Sequence, residues 1–367
     1  VIIIGGGVIG LSIAYALAAE CKSIKVLEAS EPGRGASWAS AGVLAPQGAQ
    51  PRAGPYLDLS LQSLGLFDEF AAGLLESSGM DIEYRNEGGL HVAFDDEDAQ
   101  ALLERYDHQC GLGLPVQKLD RNEVLELEPI LGPELRSGLL FEGMHQVDNR
   151  KMVEALRVAV GLRGTEIVSG APATGLMVGK NRIGGVETPR GAFRAGIVIN
   201  AAGAWSRTIG GDQVPSPPVK PVKGQMLSLD VGDTTPIGRV IHGISQYLVP
   251  RRDGRLLVGA TVEKVGFDGR VTAGGISVLL KTALRMAPGL ERASITETWS
   301  GMRPMSKDGK PIIGPTNVQG YLMATGHFRN GILLAPVTAQ LIQQYIVSGK
   351  VPSEMAPFLL ERFSGHS

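Results

Sequence analysis

The chain has 367 residues, of which 43% are hydrophobic and 20% charged, and its formal net charge is -2. The length predicts about two domains, and the composition is that of a globular protein. The charge balance argues against nucleic acid as a partner, and the two cysteines do not make a disulfide framework. No C-x-x-C pair or histidine cluster indicates a metal, no apolar run reaches the length of a membrane span, and a cytoplasmic location is expected.

The first 28 residues have the pattern of a strand, a glycine turn, a helix and a second strand. The β-branched apolar run at 1–4 is typical of a buried parallel strand. A helix is predicted at 8–20 and a strand at 25–27. The turn fits G-x-G-x-x-G through Gly5, Gly7 and Gly10.

Each residue of this pattern has a physical role at a dinucleotide. Gly5 permits the tight turn, Gly7 lets the backbone approach a pyrophosphate, and Gly10 lets helix and strand pack closely. Glu28 follows the second strand and could accept hydrogen bonds from the adenosine ribose hydroxyls. The pattern predicts a nucleotide-binding βαβ unit, and the alternative is a glycine turn without a ligand.

Small residues dominate the next segment, 32–46. Such a segment can lie flat against a large planar ligand and direct N–H and hydroxyl groups at phosphates. The alternative is a flexible linker, which the apolar Trp38, Val43 and Leu44 disfavour.

The region from 57 to 188 alternates between helices and strands. Helices are predicted at 57–77, 97–106, 121–127 and 149–162, and strands at 84–94, 139–146, 166–168, 171–178 and 183–188. Three separated histidines, His91, His108 and His145, are expected to be ordinary core or surface residues.

Two later segments repeat the opening pattern. An apolar strand at 196–201 runs into Gly203 and a helix start, and another at 321–324 runs into the glycine turn 325–331 and a helix at 332–347 interrupted by Pro336. Converging turns of this kind suit an extended dinucleotide. The alternative for the second turn is an ordinary strand end.

Between these turns the pattern changes. The proline-rich stretch 215–218 has the composition of a linker. Short alternating segments from 219 to 300 predict an antiparallel sheet with a helix at 275–287. We therefore predict an α/β fold in which residues 1–80, 142–217 and 303–367 form a Rossmann-like FAD-binding domain. Residues 81–141 and 218–302 would form an inserted antiparallel-sheet substrate-binding domain.

Three glycine turns on one nucleotide suit FAD better than NAD, and the last helix start could stabilise negative charge on a flavin. Arg303 and Arg329 follow glycine turns at the join between domains and could grip a carboxylate, unless they pair with structural acids. Tyr247 could add a hydroxyl, or be a packed core residue. No general base stands out, and hydride transfer from a neutral amine does not require one. The late turns contain no cysteine, so we expect FAD to be bound without a covalent bond.

The chain resembles the FAD-dependent D-amino-acid oxidase superfamily, and within it the glycine-oxidising branch of the thiamine pathway. The resemblance covers nearly the whole length and is carried by VIIIGGGVIG, ASAGVLAP, PVKGQ, YLVPRRDGRLLVGAT, GMRPMSKDGKPIIG and GHFRNGILLAP. The loop 45–48 departs from the pattern.

The resemblance implies oxidative deamination of glycine, sarcosine or a small D-amino acid, with O2 converted to hydrogen peroxide. The imine would give glyoxylate and ammonia, or feed thiazole synthesis. The family is typically a homotetramer. The alternatives are a related dehydrogenase that uses another electron acceptor, a sarcosine-type oxidase, and a flavin-binding subunit without turnover.

Residue by residue, the motif match implies that Arg303 binds the substrate carboxylate with help from Arg329 and Tyr247. Besides Gly5, Gly7, Gly10 and Gly203, the residues expected to contact FAD are Val8, Ile9, Glu28, Ala29, Ala36, Ser37, Ala41, Gly42, Val43, Ala173, His327, Phe328, Arg329, Asn330, Gly331, Ile332 and Leu333.

Overall fold

A six-stranded sheet and an eight-stranded sheet make up most of the chain. The structure is a computed structural model that describes residues 1–21, 23–48, 52–210, 214–232, 237–243 and 245–364. The strands, in chain order, are β1 (Ile2–Ile4), β2 (Lys25–Leu27), β3 (Val43–Leu44), β4 (Gly89–Ala93), β5 (Gln117–Asp120), β6 (Ser137–Phe141), β7 (His145–Gln146), β8 (Glu166–Val168), β9 (Gly175–Gly179), β10 (Arg182–Thr188), β11 (Gly191–Arg194), β12 (Val198–Asn200), β13 (Val219–Asp230), β14 (Val240–His242), β15 (Tyr247–Pro250), β16 (Arg255–Gly259), β17 (Ser294–Ser306), β18 (Ile312–Pro315) and β19 (Tyr321–Thr325).

Helices connect and cover these strands. They are α1 (Val8–Leu17), α2 (Ala36–Ala39), α3 (Pro55–Gly65), α4 (Phe67–Ser78), α5 (Asp96–Gly111), α6 (Arg121–Leu127), α7 (Asn149–Leu162), α8 (Ala273–Met286) and α9 (Ala335–Ser348). Short 3-10 helices occupy Gly203–Thr208, Pro288–Arg292, Ala356–Phe358 and Leu360–Phe363. Across the described ranges, none of the helices is long and apolar enough to cross a bilayer.

The six-stranded sheet is buried on both faces. Its order is β18-β19-β12-β1-β2-β8, and its strands run parallel except for the edge strand β18. Because side chains alternate along a strand, Ile3 and Ile199 pack with helices α1, α7 and α9. Ile4 and Tyr321 pack on the other face with Val186 of the three-stranded sheet β11-β10-β9. This two-sided burial explains the continuous apolar run of β1.

The eight-stranded sheet draws its strands from two stretches of the chain. Its order is β17-β13-β16-β15-β14-β4-β6-β5, with β14 and β4 parallel and the other pairs antiparallel. One face packs against α8, where Leu279 and Met286 meet Leu227 and Val258. The opposite face carries Met226, Tyr247 and His91 and is directed at the glycine turns of the first sheet.

The predicted α/β fold, with a Rossmann-like sheet and a second sheet rich in antiparallel pairs, is confirmed. The predicted domain boundaries stay a prediction. The boundary at 302/303 lies inside β17, which pairs with β13 along its length.

Two elements predicted as single are divided. The helix predicted at 57–77 is wrong: the chain forms α3 and α4, which meet at Leu66. Gly65 has low helix propensity and precedes the break, whereas the leucine spacing continues across it. The strand predicted at 139–146 is divided between β6 and β7.

Two further elements differ from their prediction. The small sheet has a third strand, β11, whose exposed edge position leaves no apolar alternation in the sequence. The last helix begins at Ala335 rather than at 332, so Pro336 does not interrupt it. Proline lies in the first turn, where its missing N–H has no intrahelical partner to lose.

Candidate active site

A cavity of about 630 Å³ lies between the carboxyl ends of the parallel strands and the inner face of the eight-stranded sheet. The turns after β1, β12 and β19 all reach its wall, as the sequence predicts. Ligands of open α/β sheets bind at this end of the strands. Among the described residues that line it, the charged side chains are Arg34, Arg105, Arg303, Arg329 and the single carboxylate Glu28. The cavity therefore favours an anionic ligand.

The first glycine turn has no room for side chains. Gly5 has φ +106°, and a Cβ there would lie 2.5 Å from the carbonyl oxygen of Ala201. Helix α1 then begins at Val8 without a side-chain cap from Gly7. The Val8 N–H donates to Ser37 Oγ over 2.9 Å. A helix start that opens into a cavity beside small residues fits a pyrophosphate.

Glu28 directly follows β2 and lies in the wall of the same cavity. Its Oε2 accepts a hydrogen bond from Gly6 N over 2.7 Å, and its Oε1 accepts one from Ser30 N over 3.0 Å. These contacts hold the carboxylate in place next to the glycine turn. Ribose hydroxyls are the donors that a carboxylate in this position accepts in dinucleotide sites.

The small-residue segment after Glu28 is an ordered wall rather than a flexible linker. Asn149 Nδ2 donates to the carbonyl oxygens of Ser37 and Trp38 over 2.8 and 3.0 Å. Trp299 Nε1 donates to Ala39 O over 3.0 Å, and the Arg150 guanidinium lies 3.7 Å from the centre of the Trp38 ring. These contacts attach the segment to α7 and to the second sheet.

The third turn is attached to β17. Phe328 N donates to Pro304 O over 2.9 Å, with Phe328 at φ 50°, and Met305 forms a bridge with His327. The His327 ring points back to α9, where Nε2 lies 3.1 Å from Thr338 Oγ1. Burial lowers the pKa of His327 to about 3, so its ring is neutral. The turn thus offers its backbone to the cavity next to Arg303.

Arg303 brings a partly buried positive charge to the cavity wall beside the third turn. Its Nη1 donates to Thr261 O over 3.1 Å and to Lys223 O over 3.3 Å. Gly224 makes room for it, since a Cβ there would lie 2.2 Å from Arg303 Nη2. Among the described residues no carboxylate lies within 4.0 Å of Arg303, so the alternative of a structural ion pair is not observed. Burial lowers the pKa of Arg303, as the nearby Arg329 does, but a guanidinium stays charged.

Tyr247 and Arg329 complete this end of the cavity. Burial raises the pKa of Tyr247 against the opposing effects of Arg303 and Arg329. Its Oη lies 3.5 Å from Met226 Sδ. Arg329 is exposed and lies over the Phe328 ring at 5.2 Å. The described lining offers no acidic side chain at this end of the cavity.

The structure places most predicted site residues in the cavity wall and leaves two outside it. Gly10 lies behind the first turn, where a Cβ would be 2.0 Å from Gly5 O, so it serves packing. Leu333 is buried in the core, and its carbonyl accepts a hydrogen bond from Ser63 Oγ over 2.6 Å. The predicted residues that line the cavity are Gly5, Gly7, Val8, Ile9, Glu28, Ala29, Ala36, Ser37, Ala41, Gly42, Val43, Ala173, Gly203, Tyr247, Arg303, His327, Phe328, Arg329, Asn330, Gly331 and Ile332.

Sequence reasoning missed a group of basic side chains in the same wall. His91, expected to be isolated, stacks on His242 with ring centroids 4.5 Å apart. The His242 ring in turn lies 5.2 Å from Tyr247, and Arg105 Nη1 lies 3.0 Å from His91 Nδ1. Strand register creates this row, because His91 pairs with His242 and His242 with Tyr247. Neither histidine has a local sequence signal that predicts the pairing. Among the described residues there is no group of histidine, cysteine and acidic side chains that could hold a metal ion.

The residues present fit FAD. The crowded Gly5 turn, the start of α1 beside Ser37 and the small-residue wall would form a cradle for phosphates and a planar ring. With FAD in this cavity, Glu28 would accept from the ribose hydroxyls and the third turn would lie at the flavin end. FAD would thus be held mainly by backbone groups from three strand ends.

Comparison with known proteins agrees with this geometry. A family model described as FAD dependent oxidoreductase matches residues 1–345. The chain is 35% identical over 368 residues to the glycine oxidase of Geobacillus kaustophilus, covering 100% of this chain and 97% of that protein. A crystal structure of that enzyme matches with a TM-score of 0.93 and 34% identity, covering 98% of both chains.

A longer relative has the same region joined to further sequence. The bifunctional protein ThiO/ThiG of a Synechocystis species is 37% identical over 368 residues, which cover 99% of this chain and 54% of that protein. The chain therefore spans about half the length of this relative.

Proposed function

The chain belongs to the family of FAD dependent oxidoreductases, and from that premise we propose that it oxidises glycine and other small amines, including sarcosine and small D-amino acids. The substrate loses two electrons and two protons to become an imine, and O2 gains them to become hydrogen peroxide. Water then converts the imine of glycine to glyoxylate and ammonia. One observation supports the amino-acid substrate above all: Arg303 is a partly buried cation without a described carboxylate partner, next to the third glycine turn.

Arg303 would bind and orient the substrate. Its planar guanidinium can hold a carboxylate through two parallel hydrogen bonds. The carbonyls of Thr261 and Lys223 fix the plane of the guanidinium, and Gly224 leaves the space that it occupies. Tyr247 would offer a hydroxyl to the same carboxylate, and Arg329 a further positive charge at the exposed edge. A small amino acid whose carboxylate is held in this way has a fixed orientation of its Cα in the cavity.

FAD, when bound, supplies the two-electron oxidant. The protein contributes the protonation state of the amine. Arg303 and Arg329 disfavour a third positive charge, so the bound substrate releases its ammonium proton more easily than it does in water. A neutral amine has the lone pair that assists loss of hydride from Cα. The scheme needs no enzyme base, which matches the lack of an acidic side chain around Tyr247 in the described lining.

The small imine product suits a biosynthetic use. The similarity to a protein named ThiO/ThiG supports a role in supplying this imine for thiazole formation in thiamine synthesis. The non-covalent attachment of FAD, the homotetramer and the cytoplasmic location also remain proposals.

The proposed function is tested by stoichiometry. Purified, FAD-loaded protein is given glycine in air, and oxygen consumption, hydrogen peroxide and ammonia are measured together. Equal molar amounts of the three are expected. Absence of oxygen consumption with glycine, sarcosine and D-alanine would overturn the proposal, and ammonia release that depends on an added quinone would support the dehydrogenase alternative instead.

A further inference from the structure

The cavity contains a second basic cluster that glycine does not need. Arg105 from α5, His91 from β4 and His242 from β14 line it together. Arg303, beyond Tyr247, would already hold the single carboxylate of glycine. We propose that the Arg105 cluster, defined as Arg105, His91 and His242, binds a second carboxylate, so that the enzyme accepts small amines with two carboxylates. The proposal rests on the proposed function.

The hydrogen-bond pattern leaves three buried nitrogens of the Arg105 cluster without a partner among the described residues. Arg105 Nη1 lies 3.0 Å from His91 Nδ1, and Nη2 donates to Gly48 O. Because an arginine only donates, His91 Nδ1 must accept, which places the ring proton on Nε2. His91 Nε2, His242 Nε2 and Arg105 Nε are buried and have no hydrogen-bond partner among the described residues. A carboxylate is the ligand that accepts from several such donors at once.

The charge of the Arg105 cluster is likewise unbalanced. Within the described part of the chain, no carboxylate lies within 4.0 Å of Arg105, and the only acidic lining residue is Glu28, which serves the first glycine turn. Burial lowers the pKa of Arg105 to about 10, so the guanidinium remains charged at neutral pH. The stacked histidines have pKa values well below their ordinary range because of burial, so both rings are neutral and each has one N–H to donate. One uncompensated charge remains at this end of the cavity.

The position of the Arg105 cluster fits a molecule that reaches Arg303 at its other end. His91, His242 and Tyr247 are consecutive members of one cross-strand row, and Tyr247 lies close enough to Arg303 for each to shift the pKa of the other. The two guanidinium groups thus face one cavity from opposite ends of this row. A dicarboxylate with an amine between its acid groups is a molecule that can pair with one guanidinium at each end.

The second carboxylate can belong to a substituent on the nitrogen of the substrate or to a substituent on its Cα. Two matched pairs of compounds separate these cases. Iminodiacetate is compared with sarcosine, which is also a secondary amine but lacks the second acid. D-aspartate is compared with D-asparagine, its uncharged isostere. For each pair, the ratio is the kcat/KM of the holoenzyme for the diacid divided by its kcat/KM for the matched compound. This ratio should be about tenfold or more in at least one pair.

Variants connect this preference to the Arg105 cluster. Arg105→Met should reduce the ratio to about one, and His242→Phe, which keeps the stacked ring but removes the donor, should reduce it in the same direction. Arg136→Gln is the control. Arg136 is an exposed arginine outside the cavity, and its side chain lies 3.9 Å from Asp96, the first residue of the helix α5 that also carries Arg105. The control should leave the ratio unchanged.

A binding measurement separates failure of this proposal from failure of the proposed function. Diglycolate resembles iminodiacetate but has no amine to oxidise, and methoxyacetate lacks its second acid. Calorimetric titration of the holoenzyme should show diglycolate binding about tenfold more tightly than methoxyacetate, with the preference lost in Arg105→Met. If that preference is found without oxidation of any amine, the subsite stands and the proposed function fails. Equal binding of the two acids, or a preference that Arg105→Met and His242→Phe both leave intact, would overturn the subsite.

Discussion

Replacement of Arg303 by methionine should weaken glycine binding selectively. The guanidinium is held by two backbone carbonyls and has no described acidic partner. The change therefore removes the group that would pair with the substrate without leaving a protein carboxylate unpaired. A bidentate pair loses two charge-assisted hydrogen bonds of about 1.5–3 kcal/mol each. Because Arg329 still contributes charge, we take the lower part of that range, about 3 kcal/mol, or roughly a hundredfold in kcat/KM.

Steady-state oxygen consumption measures this effect. The carboxylate interaction is present before and during the reaction, so KM for glycine should rise by most of the predicted factor and kcat should change little. The amount of FAD per protein should stay that of the wild type. Arg270→Gln is the control, because its side chain is exposed and paired with Asp268, and it should leave KM unchanged.

Glycine ethyl ester gives the sharper comparison. It retains the amine and Cα but lacks the carboxylate, so Arg303→Met should affect it far less than glycine. An unchanged KM for glycine, or an equal loss for glycine and its ester, would refute the role assigned to Arg303.

Three further perturbations test other parts of the site. Glu28→Gln should weaken FAD binding by about tenfold, measured by titrating apoprotein with FAD, because it loses the charged acceptor at the ribose; an unaltered affinity would contradict that role. Gly224→Ala places a Cβ 2.2 Å from Arg303 Nη2 and should raise KM for glycine by about tenfold, whereas Gly274→Ala, with open space around its Cβ, should not. As the pH falls from about 7 to about 5, the free energy of unfolding of the wild type should decrease by about 2 kcal/mol more than that of His327→Gln. The sign follows because burial lowers the folded pKa of His327 from 6.5 to about 3, so the unfolded chain gains the proton first as the pH falls; parallel urea-denaturation curves of the two proteins would contradict it.

The nucleotide-binding half was accessible from local sequence patterns. The Gly5 turn, the helix start at Val8 and the acid at Glu28 lie within one short stretch, and each has a backbone reason that a single sequence reveals. The close packing predicted for Gly10 is observed, since a Cβ there would lie 2.0 Å from Gly5 O behind the turn, and its contact with the cofactor stays a prediction. Leu333 shows a limit of local patterns. They locate the turn, but they do not indicate which of its residues faces the core.

The part of the cavity wall formed by the eight-stranded sheet depends on strand register, which local sequence patterns do not encode. His91 and His242 meet because two strands distant in sequence pair in parallel. Arg105 joins them from a helix whose sequence is that of an ordinary charged surface helix. The space that Gly224 leaves for Arg303 likewise exists only once β13 lies beside β17. These features require the folded sheet.

The most direct test of the account is the visible spectrum of the FAD-loaded protein with glycine in the absence of oxygen. Glycine should bleach the absorbance of the bound flavin, and admission of air should restore it. A flavin that stays bound and unbleached with saturating glycine would contradict the proposed substrate, and bleaching that air does not reverse would contradict an oxidase.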